Sequence, residues 1–312
     1  MRLARRAGRW PRRRRRGRSA TAEGHDARRS RSRRVSAHVA RVIVDYHLHL
    51  RDGAGAIDHS VKAVERFVEV AAARGVDELG FTEHVYYFRE TRELWDIPYL
   101  SERCRFELDP YCEAVLEAKG RGLPVKLGLE VDYVGDRQDR LSELLAPYPW
   151  DFLLGSVHWL EGEAIDQQPG LWAHATTEDV WQRYFGALVE LASSSAVDVL
   201  AHPDLAKIFG RRPEPDVLAR LHRDVAQEIA KTGVCVEIST AGLRKPVGEL
   251  YPDPDFLAQC VSRGVGVTIA SDAHEPELVG VDFELALAAA RAAGCETVAV
   301  FDARSARLEA LG

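Results

Sequence analysis

Cysteine is sparse in this 312-residue chain. The five present (Cys104, Cys112, Cys235, Cys260 and Cys295) are scattered, odd in number and never in CxxC spacing. That excludes a disulfide framework and a closed cysteine-rich zinc site, and it fits a chain kept in a reducing cytoplasm. Long hydrophobic runs are also missing. No stretch of about 18 consecutive apolar residues occurs, so no membrane span is expected. The first 40 residues are poor in both acids and apolar side chains, with fifteen arginines facing only Glu23 and Asp26. Such a segment cannot build a core and is expected to be disordered. Without an apolar stretch of about 7–15 residues after its charges, it is not a secretory signal. The same gap argues against twin-arginine export. Its charge would suit a nucleic-acid-binding arm or simply a solvated appendage.

With about +13 in this leader, the formal charge of −6 leaves about −19 on the remainder. An acidic folded part makes nucleic acid a poor partner. The remainder has no internal repeat and no linker-like break. The expected organisation is therefore a disordered Arg-rich extension over 1–41 and one domain over 42–312. An apolar content of 46% is enough for a full core.

From Val42 onward, short β-branched runs alternate with longer helical patterns, the signature of βα units and a parallel sheet. Strands are expected near 42–46, 78–82, 124–130, 151–156, 197–201, 234–239, 265–270 and 296–301. Helix-like stretches such as Val61–Arg74, Glu178–Ser193 and Asp216–Gly233 lie between them, several ending at glycine. Seven or eight such units in about 270 residues predict an α/β barrel.

The polar residues fall in a pattern that suits this architecture. His47 and His49 follow VIVDY, His84 follows ELGFTE, and Glu130 follows VKLGL. His158 follows FLLGS, His202 follows VDVLA, and Asp272 and His274 follow GVTIAS. All sit at the C-terminal ends of expected strands, where barrels place their active sites. Alternate residues of an extended segment face the same way, so both imidazoles of the HxH pair can reach one ion. An isolated HxH is more often a polar strand end; recurrence at five further strand ends is what points to metal. Imidazole and carboxylate ligands without thiolate favour an open catalytic site for Zn, Mn or Fe. The ligands outnumber the needs of one tetrahedral centre, so two or three divalent ions are expected, with Glu130 able to bridge.

In order, DYHLH at 45–49, TEH at Thr82–His84, GLEVDY at Gly128–Tyr133, GSVH at Gly155–His158, AHPDL at Ala201–Leu205, EISTAGLRKP at Glu237–Pro246 and SDAH at Ser271–His274 resemble the motifs of the PHP superfamily. Within it they are similar to histidinol-phosphatases. The resemblance implies a distorted (βα)7 TIM-like barrel, the PHP fold, and hydrolysis of L-histidinol phosphate in histidine biosynthesis. It also implies three metal positions. One is formed by His47, His49, Glu130 and Asp272, a second by Glu130, His158 and His202, and a third by His84 and His274. The family usually supplies another third-site ligand shortly after HxH, where this chain reads LRDGAGAIDHS. Asp52 and His59 are the substitutes there, and neither matches the family pattern well.

The expected chemistry is direct attack on the phosphoryl group by metal-activated hydroxide. No DxDx(T/V) or CxxxxxR pattern suggests a phosphoenzyme route. Arg244 and Lys245 are candidates for gripping the phosphate, against a solvated loop pair as the alternative. Asp204 could orient an imidazole, protonate the leaving alkoxide, or simply cap the following helix. The aromatic, charged segment Tyr86–Tyr99 could cover the site and use a carboxylate to bind the amine and imidazole of histidinol, or only pack over the strand ends. His174 and His222 read as surface residues. Other substrates remain as alternatives: another phosphomonoester, a nucleotide, or, further off, nucleic acid.

Overall fold

A computed structural model describes residues 41–52, 54–168 and 170–312. The arginine-rich leader, expected to be disordered, lies outside the described residues except for Arg41. That residue opens a short strand instead of ending the leader. The strands in chain order are β1 (Arg41–Val42), β2 (Val44–Leu48), β3 (Glu78–Phe81), β4 (Val125–Leu127), β5 (Glu130–Asp132), β6 (Leu154–Ser156) and β7 (Trp159–Leu160). They continue with β8 (Glu163–Ala164), β9 (Val199–Leu200), β10 (Cys235–Ser239), β11 (Val267–Ala270), β12 (Thr297–Asp302) and β13 (Ser305–Leu311). The helices are α1 (Val61–Ala73), α2 (Pro98–Ser101), α3 (Leu108–Gly120), α4 (Gln138–Leu145), α5 (Thr177–Ser193), α6 (Pro215–Ile229), α7 (Pro254–Val261) and α8 (Phe283–Ala292).

The expected α/β alternation holds, and the core strands pair in parallel. They form a three-stranded sheet, β2-β3-β4, and a five-stranded sheet, β11-β10-β9-β6-β5. A closed barrel does not form, which corrects the expectation. One cause is local. The single strand expected over 124–130 breaks at Gly128, where an added Cβ would lie 2.8 Å from Thr82 Cγ2 and 2.9 Å from Phe152 Cζ. Two strands, β4 and β5, result, one in each sheet. Isolated parallel bridges, Leu48 with Ala273 and His84 with Glu130, link the two sheets at their C-terminal ends. The last expected strand, over 296–301, also differs. As β12 it pairs antiparallel with β13, outside the parallel sheets.

Burial explains why these elements form. All five residues of β2 and of β10 are buried, as suits strands covered on both faces. Tyr46, Phe152 and Phe301 stack with centroid separations of 5.0 and 5.6 Å along the series. The helices pack around the strands and are capped from the sequence. Ser60 Oγ accepts from Ala63 N before α1, and Thr176 Oγ1 accepts from Asp179 N before α5. His222, expected at the surface, is instead buried on α6 and stacks on Phe256 at 5.1 Å. His174 is exposed as expected. Among the described residues, no helix is long and apolar enough to cross a membrane.

Candidate metal centre

The C-terminal ends of the parallel strands carry a dense cluster of imidazoles and carboxylates. Glu130, at the start of β5, is its hub and has no solvent exposure. Its Oε2 lies 3.5 Å from His47 Nε2, 3.7 Å from His49 Nε2 and 2.5 Å from His84 Nδ1. Its Oε1 lies 3.5 Å from His158 Nε2 and 3.3 Å from His202 Nε2. Asp272 Oδ1 faces the same centre, 3.6 Å from His47 Nε2 and 3.4 Å from His49 Nε2. His274 stacks on His49 at 4.1 Å between ring centroids. All eight expected ligands therefore converge.

Most of these separations are too long for hydrogen bonds. They match the roughly 3.3 Å between donors that share one tetrahedral ion at about 2.0–2.1 Å. His47 Nε2, His49 Nε2 and both Glu130 oxygens are buried without a hydrogen-bond partner among the described residues. Buried polar atoms are normally satisfied, so this set fits a group of divalent cations. Four triads have donor atoms close enough to hold an ion: His47, His49 and Glu130; His47, His202 and Asp272; His84, Glu130 and His158; and His49, His84 and His274.

Asp52 and His59 belong to none of these triads. Asp52 is exposed and turned into its own loop, where Oδ1 accepts from Ala54 N and Ala56 N. Those bonds lower its pKa. His59 is wedged among Phe88, Phe106 and Tyr111, with Nε2 3.7 Å from Glu83 Oε1. The triad of His49, His84 and His274 needs neither residue.

Three carboxylates outside the expected ligand set stand behind its imidazoles. Asp132 Oδ1 lies 2.8 Å from His158 Nδ1, and Glu237 Oε2 lies 2.9 Å from His47 Nδ1. Glu83, held by Arg51 Nη1 and Leu50 N, comes within 3.6 Å of His49 Nδ1. Asp132 and Glu237 each fix one ring nitrogen and leave Nε2 toward the centre, as carboxylates behind metal-ligating histidines do, while Glu83 stands near His49 without bonding it. The signal was present in EVD, whose alternate acids share a strand face. A fourth acid, Asp45, ties the Asp272 loop to β2 by accepting from Ser271 N, Ser271 Oγ and Gly280 N. Burial outweighs those bonds and raises its pKa to about 6.

The electrostatics divide the histidines. Burial opposes charge on His158, but Asp132 and Glu130 overcome it and raise the pKa to about 10. Burial likewise opposes charge on His47, and Glu237, Asp272 and Glu130 raise it well above the usual imidazole range. His84 goes the other way: burial dominates the pull of Glu130 and lowers its pKa to about 4. Glu130 is held well below the carboxylate range, burial being overcome by His84, His47 and His158. His202 and Asp272 also have positive φ, 25° and 51°. Backbone in that region is uncommon outside glycine and gathers at functional sites.

A cavity of about 140 Å³ opens beside the cluster, lined by His84, Tyr86, Tyr99, Glu130, His158, Trp159, Asp166, Gln167, His202, Lys245, Asp272 and His274. Lys245 reaches it as expected. Arg244 does not line it; its guanidinium donates to Thr240 O and to Ser271 O, beside the Asp272 loop. Asp204 does not line it either. Its Oδ2 lies 2.9 Å from Lys207 Nζ and accepts from Asp253 N at 2.6 Å. Its side chain makes no cap bond to the turn that follows. The Asp204–Lys207 ion pair is buried, and the bond from Asp253 N joins this loop to the one that precedes α7.

Residues 45–241 match the PHP domain family. The chain belongs to the PHP family. A probable histidinol-phosphatase of Deinococcus radiodurans is 33% identical over 264 residues, spanning 82% of this chain and 95% of that protein. The histidinol-phosphatase of Bacillus subtilis is 25% identical over 71% of this chain and 90% of its own length. Among solved structures, histidinol phosphate phosphatase from Lactococcus lactis, complexed with zinc, L-histidinol and phosphate, superposes with a TM-score of 0.68. It is 18% identical, and the match covers 86% of this chain and all of that one. A putative histidinol phosphatase from Listeria monocytogenes gives a TM-score of 0.66 at 20% identity, covering 78% and 99%. At these identities the structural likeness establishes the shared fold. The PHP match carries HxH at 47–49 and runs through His202.

Proposed function

We propose that this chain is a metal-dependent phosphomonoester hydrolase that splits L-histidinol phosphate into L-histidinol and phosphate. The observation that carries this reading is Glu130, whose two buried, unpartnered oxygens face five imidazoles. The names of the sequence relatives supply the substrate. His47, His49, Glu130 and Asp272 would hold one ion, and Glu130, His158 and His202 a second. His84 and His274, with His49 beside them, would hold a third. Imidazole and carboxylate donors suit Zn, Mn or Fe. Bound there, such ions supply water of near-neutral pKa and positive charge for the phosphoryl oxygens.

The chain's own residues prepare that chemistry. Asp132 and Glu237 fix the orientations of His158 and His47. Lys245 brings a cation to the cavity wall for the phosphate. Arg244, through Ser271 O, braces the loop that carries Asp272. The Tyr86 and Trp159 rings narrow the mouth. The two parallel sheets and their bridges support reading the core as an interrupted seven-stranded barrel, within one catalytic unit over 42–312.

The test is phosphate release by purified protein, with metal content measured in the same sample. Substrates would be histidinol phosphate, a nucleoside monophosphate, a phosphotyrosine peptide and p-nitrophenyl phosphate. Histidinol phosphate is expected to give a kcat/KM about 100-fold above the others. A metal-loaded enzyme with no such preference would reduce the assignment to a PHP phosphoesterase of another substrate.

A further inference from the structure

The cavity beside the metal cluster has a wall that the hydrolytic chemistry does not use. Three carboxylates line it, and two of them, Glu130 and Asp272, belong to the metal-ligating groups. The third is Asp166. Among the described residues it has no hydrogen-bond or ion-pair partner and belongs to no metal triad. It is half-buried, so its charge is only partly solvated. An anion left without a counter-ion in a partly desolvated wall is matched by a cation on the ligand.

Its placement is rigid. The preceding residue, Ile165, is fully buried, its N–H donates to His158 O at 2.8 Å, and its carbonyl accepts from Trp172 Nε1 at 2.9 Å. The Asp166 backbone thus follows directly on a segment bonded to His158. Around it the wall is aromatic. Tyr86 stacks on His84 at 4.7 Å, and Tyr99 and Trp159 lie 5.5 Å apart. Aromatic faces beside an anion suit a cationic, flat group. Lys245 also lines the cavity, its ammonium without a partner among the described residues. The cavity thus holds a cation suited to phosphate and an anion beside aromatic rings suited to the rest of the substrate.

We propose that Asp166 is the specificity-determining residue, selecting phosphomonoesters whose alcohol carries a cationic amine or imidazole. This corrects the sequence expectation in part. The segment Tyr86–Tyr99 does supply aromatic rings to the wall, but its acids are engaged elsewhere. Glu90 accepts from Leu108 N, and Asp96 pairs with Arg137 at 2.8 Å. The selecting carboxylate comes instead from the turn after the β7-β8 hairpin.

The inference rests on the phosphatase reading above, and the experiment keeps the two apart. Holoenzyme kcat and KM are measured on histidinol phosphate, phosphoethanolamine and p-nitrophenyl phosphate for wild type, Asp166→Asn and Asp166→Glu, with metal content assayed throughout. The ratio of kcat/KM for cationic over uncharged substrate is expected to fall about 10–100-fold in Asp166→Asn, mainly through KM, and to recover in part in Asp166→Glu. Metal content stays at the wild-type level. An Asp166→Asn enzyme that retains the wild-type ratio, or loses all three substrates equally, overturns the role of Asp166. A wild type that favours phosphoethanolamine but not histidinol phosphate overturns the substrate assignment alone, and the variants still read out Asp166. A wild type with no preference for either cationic substrate overturns both.

Discussion

Both ends of the parallel strands carry buried acids, yet they treat them in opposite ways. At the N-terminal ends, acids are paired and their hydrogen bonds complete. Asp151 takes Lys119 Nζ on both oxygens, at 2.6 and 2.7 Å, and Leu127 N at 2.9 Å. Asp198 takes Leu153 N and both Nε and Nη2 of Arg304. At the C-terminal ends, Glu130 keeps both oxygens without a hydrogen bond and faces imidazoles at ion-sharing distances. Positive φ occurs at both ends but for different reasons. Ala303 and Arg304, at 49° and 59°, form a two-residue turn between antiparallel strands, where such backbone fits the strand twist. His202 and Asp272 sit in no such turn. Charge density alone thus fails to mark a site, whereas several unsatisfied donors and acceptors converging on one carboxylate do.

Breaking the hub should separate the two ends most sharply. Glu130→Gln is expected to lower phosphatase kcat by on the order of 10³-fold and to reduce bound metal, measured by steady-state kinetics and elemental analysis. Full metal content with full activity would remove Glu130 from the centre. Asp132→Asn is milder, because it disturbs only how His158 is held. Metal affinity should fall about 10–100-fold in a chelator competition titration, with the fold intact by circular dichroism.

Proton linkage sharpens the same contrast in protein stripped of metal. The pKa of His158 is raised to about 10 in the folded chain. Its stabilising contribution is therefore fully present below the unfolded imidazole value of about 6.5 and is lost as pH rises through about 10. The Tm of chelated protein should fall between pH 7 and 10, and His158→Gln should flatten that slope. A slope of equal size in the variant would show that other groups produce it. The smallest effect belongs to the N-terminal ends. Arg304→Ala should cost about 1 kcal/mol in urea unfolding, since its ion pair with Asp198 is partly exposed. The metal-loaded kcat should not change. A fall in kcat would mean that the two ends are coupled.

Much of this protein was legible before its fold was known. Strand ends followed by His, Glu or Asp picked out all eight residues that the fold brings together, because side-chain alternation and the βα repeat are local properties of the sequence. Residue types alone excluded thiolate chemistry and favoured an imidazole and carboxylate centre. What the sequence left open depended on contacts between distant segments. Gly128 reads as an ordinary strand glycine, and only the fold shows Thr82 and Phe152 so close that no Cβ would fit where the strand breaks. Asp204 reads equally as an imidazole-orienting group, a proton donor or a helix cap, and only the fold shows Lys207 and Asp253 at its carboxylate. Asp52 and His59 were equal candidates until one turned into its loop and the other into an aromatic pocket. Sequence fixes which donors a strand end offers, since that follows from spacing along one segment. Whether a carboxylate meets a lysine, a backbone amide or an empty cavity is set by the side chain opposite, and only the tertiary structure chooses that neighbour.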